Sequence, residues 1–212
     1  MDAQPSVGHF YIYAIFLFLL RLNIMKLAVC LLAILLSVIM PYAMAENSSA
    51  SANAFSQTFS LHGISFAVSS TGNTLRIVPS GLKIDNSPIE RAIDGVVTGA
   101  DVGDINVDQS PEIYVYVKAK DNTASLIAYS ANKKKSLSEI YLPPFTDDPK
   151  LAKGYRGSNE IALVENMVAQ RFPIYKDGDR DDKPTGGTRQ LQYNLKPGEA
   201  GWLLKLSKTI EY

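Results

Sequence analysis

From residue 59 onward, apolar residues recur at every second position in short runs that turn residues interrupt. Phe59 and Leu61, then Ile64, Phe66 and Val68, alternate with polar neighbours on either side of Gly63, which predicts a hairpin. Leu75 and Ile77 follow the turn pair Gly72-Asn73. Residues 113–117 (Ile-Tyr-Val-Tyr-Val) and 126–129 (Leu-Ile-Ala-Tyr) are dense in β-branched and aromatic side chains, as buried strands require. A further strand over 140–142 stops at Pro143-Pro144. Residues 160–164 and 167–175 pair about Glu165-Asn166, and Leu191, Tyr193 and Leu195 lead through Lys196-Pro-Gly198 to a strand over 202–206. Residues 159–170 lack Gly and Pro and fit a helical period as well, but their context favours strands. Eight or more short strands about ten residues apart predict an all-β fold: an antiparallel β-sandwich or a barrel-like single domain over residues 55–212. No internal repeat is visible.

The first 45 residues follow a different pattern. Met25-Lys26, an apolar run over 27–40 and the exit Pro41-Tyr-Ala-Met-Ala45 form a secretory signal, with cleavage expected after Ala45. The apolar block at 10–20 is too short to span a bilayer, so Met25 is read as the true start. Leu27-Ala28-Val29-Cys30 has the letters of a lipoprotein box, yet its apolar stretch follows the cysteine instead of preceding it. Residues 46–54, small and polar, read as a flexible leader. The product is expected in the periplasm, with no stable membrane anchor once the signal is cleaved.

Removing that segment changes the chemistry. The chain has 21 basic and 21 acidic residues; taking away Arg21, Lys26 and Asp2 leaves 19 (21 − 2) and 20 (21 − 1), so bulk charge gives no reason to expect nucleic acid as a partner. It also takes away Cys30 and His9, leaving no cysteine and one histidine, His62. Thiolate catalysis, thiolate zinc sites and two-histidine metal sites each lose a necessary member, and a Ser-His-Asp triad would have His62 alone to draw on. An enzyme is therefore the class least supported. Lys133-Lys-Lys135 reads as a hairpin tip, and the acidic run 177–184, interleaved with Arg180 and Lys183, as a solvated loop.

One acidic stretch has a sharper pattern. Asp104, Asn106, Asp108 and Glu112 place oxygen ligands at positions 1, 3, 5 and 9 of a tight loop, the donor set of a hard cation such as calcium. Gln109 stands where such loops use Gly, and position 12 is Val115. The alternative is a turn that caps its own backbone before the strand at 113. On the calcium reading the chain is an exported structural or adhesion module.

Several longer motifs resemble a known family. Lys135-Ser-Leu-Ser-Glu-Ile-Tyr-Leu-Pro-Pro144, Gly154-Tyr155 with Glu160, Arg171-Phe-Pro-Ile-Tyr175, Pro184-Thr-Gly-Gly-Thr-Arg-Gln190 and Gly198-Glu-Ala200 are similar, in order, to the periplasmic inhibitors of invertebrate-type (i-type) lysozyme. The resemblance implies an all-β periplasmic protein of a Gram-negative bacterium, in many members a homodimer, that blocks a muramidase cleft with surface loops and needs no cofactor. Where that family is expected to carry a Ser-Gly-x-x-Tyr type loop, this chain reads Lys-Ala-Lys-Asp-Asn-Thr-Ala-Ser over 118–125, so the Ser and Tyr roles do not transfer. In their place Lys118 and Lys120 are suited to the acidic groups of a lysozyme, with Asn122, Thr123 and Ser125 as hydrogen-bonding neighbours. Tyr155 and Arg156 form the second candidate contact.

Overall fold

A computed structural model describes residues 54–199 and 201–212; the stretch expected to be a secretory signal and all but the last residue of the expected polar leader fall outside them. Twelve strands dominate: β1 (Phe55–Leu61), β2 (Ile64–Thr71), β3 (Thr74–Ser80), β4 (Ile89–Ala92), β5 (Val96–Gly103), β6 (Glu112–Lys118), β7 (Ala124–Asn132), β8 (Ser136–Tyr141), β9 (Glu160–Val164), β10 (Met167–Pro173), β11 (Thr188–Pro197) and β12 (Trp202–Glu211). A 3-10 turn, Phe145–Asp147, and the one-turn helix α1, Pro149–Ala152, interrupt them. Among the described residues no helix is long and apolar enough to cross a membrane.

The strands form two sheets. β1-β2-β3-β4 make a four-stranded antiparallel sheet, and the other eight run in the order β5-β6-β7-β8-β12-β11-β10-β9. The predicted hairpins are present: Leu61 faces Ile64 across His62-Gly63, Thr71 faces Thr74 across Gly72-Asn73, and Val164 faces Met167 across Glu165-Asn166. Residues 133–135 turn between β7 and β8. β8 and β12 pair in parallel over only two positions, Ile140 with Trp202 and Tyr141 with Leu203. This long-range contact joins the two halves of the large sheet.

The period-two pattern sets the packing. On β6, Ile113, Val115 and Val117 face the small sheet and join Ile64, Phe66, Val68 and Ile77 in one core. Tyr114 and Tyr116 point the other way, into a second core with Ile161, Phe172, Leu191 and Leu204. β6 is thus covered on both faces, which is why residues 113–117 read as a continuous apolar run. The large sheet curls until β9 approaches β6 and β7, and side chains bridge the seam. Leu163 N donates to the Tyr116 hydroxyl at 2.9 Å, which itself donates to Asp101. Asn159 imitates a strand: its Oδ1 accepts from Ala124 N and its Nδ2 donates to Ala124 O, both at 2.9 Å. The outcome is a nearly closed barrel with a second sheet laid on one flank.

Candidate functional site

The loop after β6 is a tight five-residue connection. Asn122 N donates to Ala119 O and Ala119 N to Thr123 O, and Asn122 has φ +68°, so a turn is followed by one left-handed residue. Asn tolerates that backbone because its short amide can bond locally. The Asp121 carboxylate accepts from Thr123 N at 2.9 Å, which lowers its pKa and sharpens the tip. Lys118, Lys120, Asn122 and Ser125 are exposed, and Thr123 is half-buried.

Residues 154–158 reach the same place from the β9 side of the seam. Gly154 has φ +78°, and a Cβ there would stand 2.6 Å from Ile174 and 2.8 Å from Tyr175 O, so the chain passes at a distance only glycine permits. Tyr155 then packs edge-on to Phe145 and Phe172, with centroids 4.9 and 5.0 Å away. Its hydroxyl lies 3.2 Å from Asn159 Oδ1, and burial raises its pKa. Arg189, buried on β11, donates to the carbonyls of Leu151 and Lys153 at the end of α1 and pairs with Glu211, which fixes the turn leading into Tyr155.

Between the two segments lies a cleft of about 490 Å³ whose walls include Thr123, Ser125, Tyr155, Asn159, Phe145 and Pro144. Thr123 and Ser125 therefore share one surface with Tyr155, 30 or more residues further along the sequence. Lys118, Lys120 and Asn122 are not among the cleft walls. Arg156 is not among these walls: it lies over the Tyr175 ring, donates to Asp179 O and Asp181, and lines a second cleft that Tyr155 also borders. Its Nη1 is engaged by these internal acceptors, and the expected pair of Tyr155 and Arg156 meets on this second cleft, apart from the loop at 118–125. Asn159 and Phe145 were absent from the sequence reading. Pro143-Pro144, which ends β8 just before Phe145, was their one local signal.

The acidic loop lies at the other end of β6. One oxygen from each of Asp104, Asp108 and Glu112 comes within 4.8 Å of the others. Asp104 accepts from the backbone N of Asp108 and Gln109, and Asp108 accepts from Ser110 N and Asn106 Nδ2. Gln109, at the glycine position of such loops, has φ +66°, so the left-handed turn forms without glycine. Glu112 is fully buried, with Oε2 accepting from Ile105 N and Tyr114 Oη. Burial, reinforced by the charges of Asp104 and Asp108, pushes its carboxyl up to about 8. His62, in the hairpin turn between β1 and β2, puts Nε2 3.2 Å from Asp104.

No protein-family model matches the chain, and no curated protein or solved structure is significantly similar to it.

Proposed function

We propose that this chain is an exported, periplasmic, non-enzymatic inhibitor of i-type lysozyme that obstructs the muramidase cleft with the loop at 118–125 and the surface around Tyr155. The reading starts from the ordered motifs between residues 135 and 200. The observation that carries it is the juxtaposition of the two candidate segments on one cleft. The loop tip offers Lys118 and Lys120 to acidic groups of the enzyme, and charge-assisted hydrogen bonds to carboxylates are the stronger kind. Behind the tip, the cleft offers the Tyr155 ring and the hydroxyls of Thr123 and Ser125 to an edge of the partner. The turn at Asn122 and the Asn159 clamp hold these groups in one shape, which lowers the ordering cost of association.

The test is a muramidase assay with i-type lysozyme and purified protein. The parent should inhibit, and Tyr155→Ala and the pair Lys118→Ala with Lys120→Ala should each weaken inhibition at least tenfold, the loss typical of a buried anchor worth about 1.4 kcal/mol or more. Arg156→Ala, whose guanidinium is held internally, should inhibit as the parent does. A parent without effect on i-type lysozyme overturns the reading. The carboxylate cluster favours a second reading, an exported structural or adhesion module held by calcium, which predicts no effect on the enzyme.

A further inference from the structure

Three buried side-chain oxygens among the described residues accept or donate no hydrogen bond: Asn106 Oδ1, Glu112 Oε1 and Ser130 Oγ. Two of them lie side by side at one end of the barrel, and Asn106 belongs to the acidic loop beside it. Glu112 and Ser130 face each other directly in the β6–β7 pairing, so their side chains lie on the same face, and both are fully buried. Ile105, two residues into the acidic loop, is itself packed in the barrel core and holds the loop over that end.

A buried carboxylate needs a positive partner or enough hydrogen bonds to replace its water. Glu112 has bonds at one oxygen only, and the charges nearest to it are the negative ones of Asp104 and Asp108. The unpaired Ser130 hydroxyl is not part of the acidic loop, and it reports independently that this corner is built around something the chain does not supply. We propose that Asp104, Asp108 and Glu112, completed by Asn106 Oδ1, form a calcium site that closes this end of the barrel.

The donor chemistry selects the ion. Every donor is an oxygen, three of them carboxylates, which suits a hard cation and not a thiolate-seeking one. Spare lone pairs remain: a carboxylate has about four acceptor sites, and Asp108 and Glu112 use two each while Asp104 uses three, counting His62. An irregular loop with one exposed ligand, Asp108, suits the longer bonds and variable coordination of calcium better than the strict octahedron of magnesium. The site lies at the Glu112 end of β6 and the proposed inhibitory loop at the Lys118 end, separated by seven strand residues or roughly 20 Å. Calcium here therefore acts on stability, and the inference does not depend on the lysozyme reading.

The experiment is thermal unfolding of the purified protein in chelator, in millimolar calcium and in millimolar magnesium, paired with terbium luminescence excited through tyrosine. Tyr114, whose hydroxyl is 3.4 Å from Glu112, is the built-in donor. A dissociation constant of about 0.1–1 mM, as in extracellular calcium modules, predicts a melting temperature roughly 4–8 °C higher in 10 mM calcium than in chelator. Magnesium should give less than half that rise. Glu112→Gln, which keeps the acceptor for Ile105 N, should abolish both the calcium rise and the terbium signal. Asp108→Asn, at an exposed position and with an amide oxygen left to accept from Ser110 N, should weaken terbium binding roughly tenfold. An unchanged melting temperature together with no terbium signal overturns the proposal, as does binding that survives both substitutions, which would place the ion elsewhere.

Discussion

Asn122 shows how a single residue both shapes the proposed contact surface and complicates its dissection. Its left-handed backbone is strained for alanine, so Asn122→Ala is expected to lose about 1 kcal/mol of stability through the turn itself. Asn122→Gly removes the same amide without that strain. Thermal unfolding should rank parent and Gly variant together and Ala below them; equal losses for Ala and Gly would mean that the amide, not the backbone, matters. Asp179 is a second residue whose role can be isolated. Its carboxylate accepts from Lys176 N, Thr185 N and the Thr185 hydroxyl, and these bonds, led by the one from Lys176, lower its pKa below 3.8. A depressed folded value means that the contribution is present above the unfolded pKa and disappears as pH falls through the folded one. The Thr185 amide resonance should therefore titrate with a midpoint below 3.8, and a midpoint at or above that value would contradict the capping role.

Among the elements, the seam of the barrel rests on side chains where a closed sheet would use backbone bonds. Asn159→Ala leaves both the N–H and the C=O of Ala124 without their partner, and because Asn159 is buried the expected loss is roughly 2–4 kcal/mol. Chemical denaturation measures it directly, and a loss under about 0.5 kcal/mol would show that the seam holds without the clamp. Phe145→Ala acts from the 3-10 turn: it removes a ring stacked 4.7 Å from Phe172 and edge-on to Tyr155, with an expected loss of about 3 kcal/mol and loosening of the Tyr155 surface. Hairpins were legible in the sequence because a two-residue turn and an alternating pattern are both local. β4 was not, since Ile89-Glu-Arg-Ala92 has no buried residue to mark a face. Nor was β5, where a register shift between Val97 and Gly99 breaks the period. The helical alternative for 159–170 gave way to β9 and β10 because Glu165-Asn166 closes a hairpin between them. The cleft itself was invisible: Thr123, Phe145 and Tyr155 meet only because the large sheet curls, and no spacing along the chain encodes that curl.

For the whole molecule, the near balance of charge bears on how it meets a partner. With 19 basic and 20 acidic residues after position 45, long-range attraction is weak, so inhibition should depend on local fit and fall only modestly, within about threefold, between 50 and 300 mM salt. The two proposals fall at opposite ends of β6, the calcium site at Glu112 and the inhibitory loop at Lys118. Calcium should therefore move the melting temperature while leaving inhibition at 25 °C unchanged. The most direct test of the central claim is titration of the purified protein into a fixed amount of i-type lysozyme while peptidoglycan hydrolysis is followed. The account predicts dose-dependent, saturable inhibition that Tyr155→Ala weakens and Arg156→Ala does not; hydrolysis that continues at its full rate in excess protein would contradict it.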